Sequence, residues 1–306
     1  MLRSFFIFCF ACAFAARAAD APMSVGQIKA ALVIGEVDAV NHDDQSVTPL
    51  HNDDLLSQGF TVKTGEDASV VLAFSNGATV RLGANTELSI DEFLQQPFPD
   101  DELVLEKLEK EPSVSSTKLK LTHGEIVGHV LALRNGSTHI VNTPVGAAGI
   151  RGTTFRHVFR LAPNGAGVFS SATDEGEVGF TATDGQTAPI PAATEITGRM
   201  RAARRGIVFN SHEITRRSKV VIDHHVKVMR TVRARIRFRR ADLRAPGARP
   251  ALRRDVNGLR ESTNDFKNID REEQDAIKAE QEKARAQRAP KEKAAPKAAA
   301  PAKKKA

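Results

Sequence analysis

The chain has 306 residues, 41% of them hydrophobic, with no Trp or Tyr and a formal net charge of +7 at pH 7. Its two cysteines, Cys9 and Cys12, both lie in the N-terminal leader, so the processed chain has no thiol, which excludes disulfides, zinc–thiolate sites and cysteine nucleophiles. The core must come from Phe, Val, Leu and Ile, and the mean charge hides a split: residues 1–198 carry 13 Lys+Arg against 24 Asp+Glu (net −11), whereas 199–306 carry 31 against 13 (net +18).

Met1-Leu2-Arg3 gives a positive start, Ser4 to Ala16 is an apolar run, and Ala16-Arg17-Ala18 offers small residues at the spacing a signal peptidase needs. Residues 1–19 therefore read as a secretory signal peptide. The alternative is an uncleaved anchor, but the run falls short of the ~20 apolar residues a spanning helix needs. Cys9-Phe10-Ala11 before Cys12 is a poor lipobox. The expected location is periplasmic or secreted.

Residues 27–198 read as an all-β domain. Val70, Leu72 and Phe74 recur at period two, as do Val80 with Leu82, Leu88 with Ile90, Leu119 with Leu121, Phe155 with His157 and Phe159, and Val178 with Phe180. Asn76-Gly77, Asn135-Gly136, Asn164-Gly165 and Asp184-Gly185 are hairpin cues, because type I′ turns need two positive φ angles. A small unit recurs at Gly35-Glu36-Val37, Gly124-Glu125-Ile126 and Gly176-Glu177-Val178, which suggests repeated layers, as in a solenoid or wound β-sandwich. Residues 93–112 form an acidic excursion, read as a short helix or an added hairpin.

The boundary is drawn at Gly198, where composition and charge change. Residues 199–288 read as a basic helical extension. A first helix is expected over 211–243, with Ile222, Val226, Met229, Val232 and Ile236 at spacings of three or four and Arg233, Arg235, Arg237, Arg239 and Arg240 in its second half. Pro246, Gly247 and Pro250 should end it, and a second, solvated helix is expected over 268–288. Residues 289–306, all Lys, Ala, Pro and Glu, should be disordered.

Two blocks carry a family resemblance. Gly59-Phe60-Thr61-Val62-Lys63-Thr64-Gly65 leads through Ser69–Phe74 to Asn76-Gly77-Ala78-Thr79-Val80-Arg81-Leu82-Gly83 and Asn85-Thr86-Glu87-Leu88; Asn142-Thr143-Pro144-Val145-Gly146-Ala147-Ala148-Gly149-Ile150-Arg151-Gly152-Thr153-Thr154-Phe155 follows. Together, over roughly 30–185, these resemble the FecR domain. The resemblance implies an all-β, solenoid-like periplasmic module. The best-known relatives are membrane-spanning anti-sigma regulators that sense an outer-membrane, TonB-dependent receptor. The sigma-binding segment, the spanning helix and the receptor-contacting subdomain of those regulators have no counterpart in this sequence, and a basic tail stands instead. Direct sigma-factor control is therefore not carried over.

Within the signature, Thr143, Pro144, Gly146, Gly149, Arg151, Gly152, Thr153 and Phe155 read as structural: glycines for tight turns and close approach, and Arg151 as a pin awaiting an acid such as Glu125 or Glu177. Gly146-x-x-Gly149-x-x-Gly152 lacks the order of a phosphate loop, and a strand pattern follows it. The nine histidines show no HExxH. Asp43-Asp44, Asp53-Asp54 and Asp100-Asp101 read as solvated turns, and no G-x-S-x-G elbow occurs. The chain is thus expected to be non-enzymatic and without cofactor. Its expected role is a binding or scaffold module of the envelope, with a periplasmic signalling component linked to a sigma/anti-sigma and TonB-receptor system as the alternative. An enzyme of unrecognised type is the third reading. Arg233, Arg235, Arg237, Arg239 and Arg240 are the candidate contacts for an anionic partner, whether an envelope polymer, an acidic protein or a membrane surface. Export argues against nucleic acid, and no small-molecule substrate is expected.

Overall fold

The computed structural model describes residues 22–161, 165–200, 207–254 and 275. The signal peptide expected over 1–19, the helix expected over 268–288 and the tail from 289 lie outside the described residues, Asp275 apart.

The strands in chain order are β1 (Ser24–Val25), β2 (Ile28–Ile34), β3 (Val37–Asn41), β4 (Val47–Pro49), β5 (Leu55–Leu56), β6 (Phe60–Thr64), β7 (Ser69–Phe74), β8 (Thr79–Leu82), β9 (Glu87–Gln95), β10 (Glu102–Val104) and β11 (Ser115–His129). They continue as β12 (Thr138–Thr143), β13 (Gly146–Ile150), β14 (Thr154–Leu161), β15 (Gly167–Glu175), β16 (Glu177–Ala182), β17 (Thr187–Pro191), β18 (Thr194–Met200) and β19 (Ile207–Glu213). Helix α1 (Arg216–Arg235), β20 (Arg237–Arg239) and β21 (Leu252–Arg253) follow.

The domain is a wound β-sandwich. Sheet A runs β4-β3-β6-β9-β11-β12-β13-β16-β17, and sheet B runs β21-β5-β2-β7-β8-β11-β14-β15-β18-β19. Strand β11 belongs to both. Up to His123 it lies between β9 and β12 in sheet A, its pairing with β12 parallel; from Gly124 it lies between β8 and β14 in sheet B. The recurring Gly-Glu unit marks such crossings: Gly35 joins β2 of sheet B to β3 of sheet A, and Gly176 joins β15 of sheet B to β16 of sheet A.

Gly124 shows why glycine is needed there. Its φ is 103°, and a Cβ would stand 2.3 Å from the Thr86 hydroxyl and 2.5 Å from the Thr86 Cα. Gly124→Ala should therefore cost about 3 kcal/mol from backbone strain and overpacking combined. Denaturant unfolding would measure this; a loss below the usual surface value would mean the corner relaxes.

At Asn76-Gly77 only Gly77 has a positive φ, 91°, and the same holds at Asp184-Gly185, where Gly185 has 87°. These hairpins therefore do not turn through type I′ loops. The Asn76 side chain instead accepts from the Ala78 amide at 3.1 Å.

One apolar cluster fills the space between the sheets. Phe74 meets Phe93 edge-on at 5.1 Å, and Phe169, Phe180 and Phe209 group at the far end. The acidic excursion contains β10 and a single 3-10 turn over Leu105–Lys107. It is tied down by Glu111, a fully buried carboxylate that accepts from the hydroxyls of Ser115 (2.5 Å) and Ser137 (2.6 Å) and from the Arg134 amide (2.9 Å).

The charge break does not coincide with a break in the sheet. β18 runs through Gly198, and β19 continues sheet B beyond it. The helix is also shorter than expected, since β19 takes residues 207–213 and β20 takes 237–239.

Candidate functional site

Residues 214–254 form a basic strap across the outer face of sheet B, with fourteen Lys and Arg against two Asp. Thr215 caps α1 by accepting from the Ser218 amide at 3.2 Å. Glu195 of β18 seats the same end: its carboxylate accepts from the Thr215 amide (3.0 Å), the Ser218 hydroxyl (2.9 Å) and Ser170. Burial pushes the Glu195 carboxyl up, and those hydrogen bonds outweigh it and leave it below the usual range.

The helix turns its apolar stripe inward. Val221 and Ile222 meet Val127 and Ala172 of sheet B. Further along, Val228, Val232, Ile236 and Phe238 pack with Leu32, Val71, Ala73, Phe98, Leu103 and Leu105. Each such large apolar side chain contributes roughly 1.5–3 kcal/mol on burial. β20 then pairs with β10, Val25 bridges to Arg244, and β21 extends sheet B beside β5.

Arginines fasten the strap. Arg156 of β14 donates to Glu125 at 2.8 Å and to Ser218 on α1 at 3.0 Å, while Arg160 reaches the other oxygen of Glu125 at 3.2 Å. Burial raises the Glu125 carboxyl, but Arg156, Arg160 and Arg217 together hold it below its ordinary value. Lys219 pairs with Asp174 at 2.9 Å, and Arg254 approaches the buried Asp54 at 3.5 Å.

The five expected anion contacts are not equivalent. Arg233 is buried and donates to three backbone carbonyls, those of Gly77 (3.0 Å), Leu105 (2.6 Å) and Leu108 (2.7 Å). It is a structural clamp and is unavailable to a partner. Arg240 is exposed and tied to Asp101 and to the Pro99 carbonyl. Arg237 donates to the Ala234 and Ile236 carbonyls but remains exposed, as do Arg235 and Arg239. Arg216, Lys227 and Arg230 share the outward side of α1.

The signature stretch begins on the opposite layer, in β12 and β13 of sheet A, and crosses into β14 of sheet B. Thr143 donates to the Gly146 carbonyl at 2.9 Å and closes the β12–β13 turn, with Pro144 exposed at its tip. A Cβ at Gly146 would stand 2.4 Å from the Thr181 carbonyl oxygen, Gly152 turns at a φ of 66°, and the Thr153 carbonyl accepts from Val130. The Phe155 ring lies over Gly128, whose Cβ would reach within 2.3 Å of it, and against His157 at 4.6 Å. Gly149 is exposed in mid-strand.

Arg151 departs from its expected role. It is exposed, and no hydrogen bond or ion pair among the described residues engages it. Glu125 is taken by Arg156, the true pin, which is 4% exposed. The two arginines stand five residues apart, Arg151 in the turn after β13 and Arg156 within β14, and only the pairing register shows which one faces α1.

Among the described residues, no group of three or more His, Cys, Asp or Glu side chains could hold a metal ion, and no helix is long and apolar enough to cross a membrane. Asp43 and Asp44 sit in an exposed turn; Asp54 is buried beneath Arg254.

Residues 60–179 match the family model described as FecR protein. This stretch is a FecR domain. The match extends from β6 into β16, so the strap lies outside it while packing against β7, β11 and β15 within it. Two solved structures of a protein of Parabacteroides distasonis, assigned as an anti-sigma factor, are similar in part. One aligns at 13% identity and a TM-score of 0.38 over 54% of this chain and 64% of that one. The other aligns at 14% and 0.37 over 53% and 62%. The chain thus spans less than two thirds of either. No curated protein matches it.

Proposed function

We propose that this chain is an exported, non-enzymatic docking module of the cell envelope, in which the FecR domain and its basic strap act as one body. The observation that carries this reading is the seating of α1, with Val221, Ile222, Val228 and Val232 buried and Arg216, Lys227 and Arg230 facing out. Cations held on a docked helix lose less conformational freedom on binding than cations on a free arm. Anionic envelope polymers and anionic headgroups are the partners such a row suits.

The test compares the full chain with a Lys227→Glu, Arg230→Glu variant on vesicles containing an anionic phospholipid and on an anionic cell-wall polymer. Binding should fall more than about tenfold in the variant, and raised salt should release the parent chain. Retention unchanged by both would overturn the reading. The FecR match supports a second reading, a periplasmic signalling component facing a receptor partner. In-cell cross-linking to one protein, indifferent to salt and to the double reversal, would favour it.

A further inference from the structure

We propose that the outer face of sheet A carries a subsite for one acidic sugar ring of an envelope glycan, seated on the paired glycines Gly149 and Gly179. This site is independent of the strap, which covers the other sheet.

The two glycines stand opposite each other in the middle of β13 and β16. Glycine in a strand weakens it, and it persists where a turn, a bulge or a close approach requires it. Neither glycine has a positive φ. A Cβ on Gly179 would meet nothing within 4 Å, and one on Gly149 would meet only the Gly179 carbonyl oxygen at an ordinary 3.7 Å. Contrast Gly128 and Gly146, where a neighbouring ring or carbonyl fills the space. Nothing among the described residues explains why this pair is bare, which points to an approach from outside.

The surroundings define what approaches. A concavity of about 390 Å³ lies over the pair and is walled by Thr138, Ile140, Arg151 and Glu177. Its size falls in the range of small-ligand sites. Register places Ile140 of β12 beside Gly149, so one apolar side chain borders the bare floor. Arg151 is exposed with no side-chain partner among the described residues, and its planar fork suits a carboxylate. Glu177 and Thr138 offer acceptor and donor groups for hydroxyls.

A flat ring spans two strands about 4.8 Å apart. Its C–H face would rest on the glycine floor and against Ile140, its carboxylate on Arg151, and its hydroxyls on Glu177 and Thr138. An extended peptide fits less well, because β13 is paired on both sides by β12 and β16 and has no ladder groups to offer one.

The experiment titrates the full chain with trigalacturonate, maltotriose and a triglutamate peptide, following binding by calorimetry and amide shifts. Trigalacturonate should bind, with shifts centred on Gly149 and Gly179, and maltotriose should bind at least tenfold more weakly. Arg151→Gln should weaken trigalacturonate roughly tenfold or more, the loss of one charge-assisted contact. Gly179→Val should abolish it while leaving the unfolding midpoint near the parent value, since the added side chain enters open space and suits a strand. The Lys227→Glu, Arg230→Glu variant should bind as the parent does, which separates this site from the cationic helix. Binding that survives Gly179→Val, that vanishes with the helix variant, that triglutamate matches, or that is absent altogether would each overturn the proposal.

Discussion

Arg233→Ala is expected to lower stability by about 3–5 kcal/mol, since each buried acceptor left unsatisfied costs about 1–3 kcal/mol and the side chain's packing is lost as well. The guanidinium joins three segments far apart in sequence: the β7–β8 turn at Gly77, the excursion at Leu105 and Leu108, and α1 itself. Truncation leaves the Gly77 and Leu108 carbonyls without a donor, leaves Leu105 only the Leu108 amide, and opens a cavity beneath the helix. Arg233→Lys should recover little, because one ammonium cannot present the fork that reaches Gly77 and the excursion together. Arg230→Ala, one turn earlier and facing outward, should stay within about 0.5 kcal/mol of the parent. Urea unfolding of the three variants at neutral pH measures this. Equal losses for Arg230 and Arg233 would mean that the strap is held by charge in general. A loss confined to Arg233 shows a specific clamp.

Part of this clamp was legible. In the stripe Ile222, Val226, Met229, Val232, Ile236, residue 233 stands four after Met229 and so lies on the buried side of the helix. The run of arginines around it argued for solvent, and charge density masked the one arginine whose position was apolar. β7 held a second sign. Its residues Ser69–Phe74 alternate at Val70, Leu72 and Phe74, yet Val71 and Ala73 between them are also apolar, and all six are buried. A strand apolar on both faces needs a layer on each side. Here the second layer is the strap.

The sheet crossings at Gly35, Gly124 and Gly176 were visible as a recurring unit, but a three-residue pattern does not say which sheet each strand joins. That requires the register of β11, which changes sheet at Gly124. The pairing of Glu125 with Arg156 in place of Arg151 has the same origin. The two arginines differ by five residues, and between them the chain passes from β13 to β14 and from one sheet to the other. The glycine pair 149 and 179 was likewise hidden, since the two positions lie thirty residues apart and meet only through β13–β16 pairing.

Acidification should unfold this protein well above the pH at which ordinary carboxylates are titrated. His139, His157 and His225 are buried, and none of their ring nitrogens has a hydrogen-bond partner among the described residues. Burial pushes His139 down to about 4. Burial, with His139 and Arg156 nearby, pushes His157 to about 3. Burial on the inward side of α1, with Arg81, His129 and His224 close, does the same for His225. Between these values and the ordinary 6.5, the unfolded chain binds a proton at each site and the folded chain does not. Their contribution is therefore complete above pH 6.5 and is lost as pH falls, by about 1.4 kcal/mol per pH unit per histidine. At pH 5 the three together cost about 6 kcal/mol, comparable to the whole stability of many domains. Below that, Glu125 and Glu195, held ionised by their partners, add a loss of the same sign. Urea midpoints taken from pH 7.5 to 4.5 should fall steeply, and His157→Leu or His225→Leu should each remove about one proton from that slope. A slope unchanged by both would place the acid sensitivity in the carboxylates, and a flat profile above pH 5 would show that these imidazoles find proton partners in the folded protein.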